Sequence, residues 1–215
     1  MNAQLLNNVS HDIIEIVDIP SKKLNFISVT GSNEKDSVTK LLRKILQYLG
    51  RSVKIEDTIK NISLMKFNTT SLDYHRVNMY DFDIGIFTDL SENQFDMYTD
   101  ILNCEKAILQ LFNVCEIGLL NYDDEHLRKI MNTWDFNYIT YAINNSADFI
   151  AKDIRYSQQG INFNLYFHGS EKSVHLNTFN KSNIYNVLAA IGTCYFLGFP
   201  LNLTIEALNH IKMFN

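Results

Sequence analysis

Short apolar runs alternate along this chain with stretches whose apolar residues recur every three to four positions. Residues 26–30 (FISVT) are an apolar run closed by Gly31, which predicts a buried strand. From 35 to 49 the period changes to that of a helix. Val38, Leu41, Leu42, Ile45, Leu46 and Leu49 fall on one face, and Gly50 supplies a natural stop. Strand, glycine-containing turn and helix together open an α/β unit. Further strands are predicted at 52–55 (SVKI), 61–67 (NISLMKF), 83–90 (DIGIFTDL) and 116–121 (EIGLLN). The run 137–143 (NYITYAI) reads as the last strand of parallel type. Helices are predicted over 93–112, on Phe95, Tyr98, Ile101, Leu102, Ala107, Ile108 and Leu111, and over 123–131, with acids in the first turn and bases in the last.

Beyond residue 148 the texture shifts. Residues 149–179 alternate apolar and polar positions, with Gly160 and Gly169-Ser170 as turns, and predict an antiparallel meander. Two helices, 182–197 and 203–213, close the chain around Gly198-Phe199-Pro200. The fold class is α/β: a doubly wound, mostly parallel sheet over 1–145, a small antiparallel β meander over 146–180, and closing helices over 181–215. In such sheets ligands bind at the carboxyl ends of the strands, which places a site in the loops after Thr30, Phe67 and Phe87.

Composition adds exclusions. The chain has 215 residues, 46% hydrophobic and 20% charged, with a net charge of −5. That balance is globular, and its sign gives no electrostatic reason to bind nucleic acid. Cys104, Cys115 and Cys194 form no CxxC pair and read as reduced, buried thiols. No apolar run reaches bilayer-spanning length, and the first twenty residues lack a cationic start and an apolar core, so neither a membrane segment nor a signal peptide is expected. The expectation is a cytoplasmic protein.

The loop ends carry a pattern. Val29-Thr30-Gly31-Ser32-Asn33-Glu34-Lys35-Asp36-Ser37 resembles TGTNGKTT, the phosphate loop of the Mur ligases. These are the ATP-dependent amide ligases of peptidoglycan precursor synthesis. Met65-Lys66-Phe67-Asn68-Thr69-Thr70-Ser71-Leu72, with Arg76-Val77 and Phe82-Asp83, is similar to MEVSSHAL…RV…FD, and Thr88-Asp89-Leu90-Ser91-Glu92-Asn93-Gln94-Phe95-Asp96 to TNLSxDHLD. Asn121-Tyr122-Asp123-Asp124 resembles NxDD. Ala147-Asp148 with Ala151-Lys152-Asp153-Ile154 resembles ADxxAEDI, and 183–190 (NIYNVLAA) resembles FNVYNALAA. The segments follow in the family's order, nearest to its UDP-N-acetylmuramoyl-tripeptide synthetase branch. The resemblance implies a P-loop-type nucleotide-binding topology and covers the central ATPase domain. The family's N-terminal UDP-substrate domain and C-terminal ligase domain are expected to be absent from this chain, and the stretch between Gly50 and Ile62 is shorter than usual.

The family reaction activates a carboxylate as an acyl phosphate, which an amine then displaces. It needs glycine where the backbone meets phosphate, a lysine on the outer phosphates, and a hydroxyl on magnesium. Gly31, Ser32, Asn33, Lys35 and Ser37 retain part of that loop, and Asn183 and Asn186 match asparagines near the adenine. Other positions are altered. Glu34 stands at the glycine before the lysine, and Asp36 at the metal-binding hydroxyl. A carboxylate roughly 5 Å from a phosphate charge costs about 3 kcal/mol at an effective dielectric near 20. Lys66 replaces a glutamate ligand, Asn93 and Gln94 replace the DH pair, and Ile108 replaces the carbamylated lysine. Lys106, two residues from Ile108, lies about 200° around a helix.

These replacements predict that Lys35 or Lys66 pairs with Glu34 or Asp36, so that the chain's own side chains fill the site. No catalytic residue and no metal ligand is then expected. ATP is the one candidate cofactor, and magnesium is not anticipated.

Plainer roles stand beside these. Asp36 suits a helix's first turn, and Asn183 and Asn186 suit a helix start. His168 and His175 read as surface residues of the meander, without a third metal ligand. Asp123-Asp124 opens an ordinary charged helix, and Tyr74, Tyr80 and Phe82 read as core.

Three functions fit the sequence. The first is a non-catalytic Mur-ligase central domain that binds or scaffolds a protein partner or a second copy of itself. The second is the ATP-binding subunit of an acid–amino-acid ligase completed by another chain. The third is a metal-independent adenine-nucleotide sensor.

Overall fold

A computed structural model describes residues 13–17, 24–52, 61–67, 81–90, 108–132 and 135–211. The strands are β1 (Ile13–Val17), β2 (Leu24–Thr30), β3 (Asn61–Phe67), β4 (Phe82–Phe87), β5 (Cys115–Asn121), β6 (Tyr138–Ala142), β7 (Phe149–Ser157), β8 (Gly160–Phe167) and β9 (Ser170–Leu176). The helices are α1 (Lys35–Ser52), α2 (Glu125–Met131), α3 (Ser182–Phe196) and α4 (Leu201–His210). Residues 108–113 are also helical.

All nine strands form one sheet, in the order β1-β3-β2-β4-β5-β6-β7-β8-β9. β3 through β7 run parallel, and β1, β8 and β9 are antiparallel to their neighbours. The chain leaves β2 on one side to make β3 and returns on its other side to make β4. That reversal opens a crevice at the carboxyl ends of β2 and β4, where open α/β sheets bind ligands.

Two apolar cores cover the two faces. Leu64, Ile86 and Leu119 pack with α1, α3 and α4 on one side. Their sequence neighbours Met65, Phe87 and Leu120 point the other way, against Ile108, Phe112 and the Leu127 face of α2. This alternation is the pleat of a strand buried on both faces. The α1 stripe of Val38, Leu41, Leu42, Ile45, Leu46 and Leu49 is fully buried, as its spacing predicts.

Several expectations are corrected. α1 runs through Gly50 to Ser52, so Ser52 is helical where a strand over 52–55 was expected, and 53–60 lie outside the described residues. β4 ends at Phe87, because Thr88 and Asp89 turn to meet the loop after β2. α2 starts at Glu125, since the Asp124 carboxylate caps it by accepting the Leu127 amide at 3.0 Å. α4 starts two residues earlier than expected, directly after Pro200, and stops at His210. Of the helix expected over 93–112, only 108–112 fall among the described residues, and they are helical.

The parallel set also extends one strand beyond expectation. β7 begins parallel to β6, with Tyr141 opposite Phe149 and Ala142 opposite Ile150. Asp148 fixes this join by accepting the amide of Thr140 at 2.9 Å and its hydroxyl at 2.7 Å. The meander therefore continues the main sheet instead of hanging from it.

The thiols of Cys115 and Cys194 are free. Burial pushes Cys115 up to about 12 and Cys194 further still, so neither is poised as a nucleophile. Cys104, Tyr74 and Tyr80 lie outside the described residues, and Phe82 is core. His168 is exposed at the β8–β9 turn, whereas His175 Nδ1 lies 2.9 Å from Asn162 Oδ1. Asn162 is six residues along β8 from His168, a separation of roughly 20 Å. Among the described residues no helix is long and apolar enough to cross a membrane.

Candidate functional site

The loop after β2 and the turn after β4 are built against each other. Gly31 has φ +144°, and a Cβ there would sit 1.9 Å from Thr88 Oγ1. Only glycine lets the two strand ends approach this closely. The Ser32 amide donates to the main-chain oxygen of Asp89 at 2.9 Å. The Asn33 amide lies 3.2 Å from both Asp89 carboxylate oxygens, and the Glu34 amide donates to Oδ1 at 3.2 Å. Asn33 Nδ2 adds a bond to Oδ2 at 3.1 Å. Three successive backbone amides thus converge on one residue, and two of them cradle its negative charge.

The charged residues at the start of α1 are engaged as well. Lys35 turns its ammonium back onto the carbonyl of Ser32 at 3.2 Å. Ser37 is half-buried in the first turn. Lys66, near the end of β3, pairs with the Asp36 carboxylate, their side chains 20% and 50% exposed. The hydrogen bond from Lys66 holds the Asp36 carboxyl below the usual aspartate range. Of the pairings anticipated among Lys35, Lys66, Glu34 and Asp36, the one present is Lys66–Asp36. Glu34 instead accepts from Asn186 Nδ2 at 2.8 Å.

A cavity of about 270 Å³ opens between this loop, the ends of β4, β5 and β6, and the start of α3. Asp123 braces its far wall. Its carboxylate accepts the amides of Ile143 (2.7 Å), Asn144 (2.9 Å) and Asn145 (3.0 Å) and the Tyr185 hydroxyl (2.8 Å). Burial alone would raise its pKa, but those donors outweigh burial and hold it below the usual range. Asp124 accepts the Leu90 amide at 2.8 Å besides capping α2. The Tyr141 hydroxyl donates to the Phe87 carbonyl at 3.2 Å. It is held well above the ordinary tyrosine value, first by burial and then by the charges of Asp89 and Asp124.

Gly31, Ser32, Asn33, Glu34, Lys35, Asp36, Lys66 and Asn186 therefore come together, with Asn183 behind Asn186. Asn183 does not cap α3. Its Nδ2 donates to Thr178 Oγ1 at 3.0 Å, and the Lys181 side chain at the cap position makes no capping bond. Ile108 is fully buried in the second core, away from solvent. Asn93, Gln94 and Lys106 lie outside the described residues. Asp89 was not singled out from sequence. The signal was present: the TNLSxDHLD pattern has asparagine where this chain has aspartate.

Comparison with known proteins agrees with this architecture. The family described as Mur ligase middle domain matches residues 65–194. The chain is 28% identical to UDP-N-acetylmuramoyl-L-alanyl-D-glutamate–2,6-diaminopimelate ligase 2 of Clostridium acetobutylicum, covering 90% of this chain and 47% of that protein. It is 31% identical to the corresponding ligase of Clostridioides difficile, covering 88% of this chain and 46% of that one. It thus spans about half the length of these relatives. A solved structure of a UDP-N-acetylmuramoyl-L-alanyl-D-glutamate–2,6-diaminopimelate ligase superposes with a TM-score of 0.74 at 20% identity, over 99% of this chain and 49% of that one. The MurF ligase of Thermotoga maritima in complex with ADP superposes at 0.72 and 16%, over 89% and 49%. At those identities the superpositions establish the fold.

Proposed function

The chain belongs to the Mur ligase middle-domain family, and from that premise we propose that it is a non-catalytic member, a binding or scaffolding module linked to cell-wall precursor synthesis. The observation that carries this reading is the Asp89 carboxylate lying on the amides of Asn33 and Glu34. A phosphate loop works because such amides point at an anion. Here the anion is part of the chain.

The residues present do not fit a magnesium triphosphate. Glu34 and Asp89 would face it with like charge, each costing about 3 kcal/mol at roughly 5 Å and an effective dielectric near 20. Asp36 is held by Lys66, and Lys35 by the Ser32 carbonyl. Ile108, where the resemblance puts a carbamylated lysine, offers no metal donor. Each loss weakens the same function, and their agreement supports a binding role over turnover.

Thermal shift with ATP, with and without Mg²⁺, on wild type and Lys35→Ala tests the reading. No gain at millimolar ATP is expected, because stabilisation follows ligand concentration over Kd. A Mg²⁺-dependent gain lost in Lys35→Ala would overturn it in favour of a ligase subunit. A gain without Mg²⁺ would overturn it in favour of a nucleotide sensor.

A further inference from the structure

We propose that β9 pairs edge to edge with β9 of a second copy of this chain, antiparallel and centred on Ser173, joining two molecules through one continuous sheet. The surface lies six strands away from β2 in the order of the sheet. The inference deepens the binding-module reading by naming a partner, and rests on that reading only for what the contact is used for.

The turn before β9 sets which of its groups face outward. His168 and Gly169 are both at positive φ, 46° and 74°, the conformation of a type I′ turn. They join Phe167 and Ser170, which sit opposite each other at the end of the hairpin. In such a turn the closing pair is backbone-bonded, and bonded and unbonded pairs then alternate along the ladder. Lys172, Val174 and Leu176 therefore bond to β8. Glu171, Ser173 and His175, opposite Tyr166, Asn164 and Asn162, turn their N–H and C=O groups to the open side. None of the three has another backbone partner among the described residues.

Sheet edges are commonly blunted by proline, a bulge, shortness or charge, because an open edge templates pairing with another strand. β9 has seven residues, no proline and an uninterrupted register with β8. The nearby irregularity, between Lys152 and Arg155, lies in the pairing of β7 with β8, one strand inside the edge. Val174 and Leu176 are buried in the core on one face, which anchors the strand, while Glu171 and Ser173 are exposed.

The order of charges along β9 selects a second copy as the occupant. A two-fold axis perpendicular to the sheet sets outward residues against outward residues and keeps equivalent faces on one side. Centred on Ser173, it uses all three. Ser173 meets Ser173, and Glu171 meets His175 of the second copy at both ends, with roughly six backbone bonds in all. An acid thus stands opposite a base twice, an arrangement that favours cross-strand pairing, and Lys172 lies opposite Val174. Moving the centre to Lys172 sets that lysine against its own copy, and moving it to Val174 leaves Glu171 opposite Asn177. Both side chains are already oriented by β8. Glu171 Oε1 accepts from Asn164 Nδ2 at 2.7 Å, and His175 Nδ1 lies 2.9 Å from Asn162 Oδ1, which leaves Nε2 for the carboxylate of the second copy.

Sedimentation velocity of the full chain from about 5 to about 500 µM tests this. The contact buries less than the roughly 1,600 Å² of a standard interface, so association is expected in the tens to hundreds of micromolar. Ser173→Pro removes a donor that β8 does not use, at the kind of edge position that tolerates proline, and is expected to leave the chain monomeric throughout. Glu171→Lys sets a base opposite a base and is expected to weaken association about tenfold, and adding His175→Glu is expected to restore it. Circular dichroism and melting curves report whether each variant is folded, and the exposed Glu171→Lys change carries the test if Ser173→Pro does not fold. A wild-type chain that stays monomeric at the highest concentration overturns the inference. So does association undiminished in Glu171→Lys or in folded Ser173→Pro, or a double variant as weak as the single one. The Mg·ATP melts described above read the loop alone, so either proposal can fail while the other stands.

Discussion

Asn186 Nδ2 donates to Glu34 Oε2 across 2.8 Å, joining residues 152 positions apart in the chain. The bond ties the loop after β2 to the first turns of α3. It uses a side chain at a position where the family resemblance has glycine.

Restoring the family residues should reopen the loop. The triple variant Glu34→Gly, Asp36→Thr, Asp89→Asn removes three carboxylates from the path of the triphosphate. ATP affinity, measured by titration calorimetry, is expected to rise at least tenfold, a cautious fraction of about 3 kcal/mol per like charge at 5 Å. Unchanged affinity would remove the charge argument.

Asp123→Asn should destabilise the protein although the shapes match. The amide cannot accept from every donor that now reaches the carboxylate: with its oxygen turned to the amides of Ile143 and Asn144 and the Tyr185 hydroxyl, its own N–H groups would face the amide and side-chain N–H of Asn145. A loss of about 2 kcal/mol is expected, or about 4–8 °C in Tm. The carboxyls of Asp123 and Asp36 are both held below their ordinary value of 3.8. The unfolded chain therefore takes up their protons first. Their contribution is complete above that value and is lost as pH falls through the lower folded values. The fall in Tm between about pH 5 and about pH 3 should be smaller in Asp123→Asn than in wild type.

Gly31→Ala should be among the most damaging single changes. The backbone there is at φ +144°, and the new methyl would meet Thr88 Oγ1 at 1.9 Å. A cost above about 2 kcal/mol is expected in urea unfolding, with the slope unchanged. A loss below about 0.5 kcal/mol would show that the two strand ends separate without cost.

Lys66→Met should do little. Its partner Asp36 is half exposed, and pairs of that kind contribute about 0–1 kcal/mol. Unfolding midpoints for wild type and variant should agree within that range, and converge further at high salt if the pair contributes at all.

The sheet and its first helix were legible because a strand buried on both faces and an amphipathic helix leave different periods. The α1 stripe from Val38 to Leu49 is buried as its spacing required. β1 was not anticipated, because a five-residue edge strand is recognised by the partner it pairs with, here Met65 back to Ile62 of β3. Helix ends drifted for local reasons: Gly50 is tolerated inside α1, and Asp124 caps α2 instead of joining it. In the site, Asp36 and Lys66 could be read as partners because opposite charges replaced opposite needs. Asp89 could not, since aspartate for asparagine keeps the shape and changes only the charge. What that charge meets depends on a loop more than fifty residues earlier.

The turn that Gly31 permits and Asp89 completes has one more result. Loops that wait for a guest anion become ordered when it arrives, and the energy of ordering is taken out of affinity. This one carries its own anion in Asp89, so its outline belongs to the resting molecule. A ligand that docked here would meet a finished surface, and its recognition would rest on fit to that surface rather than on moulding a new one.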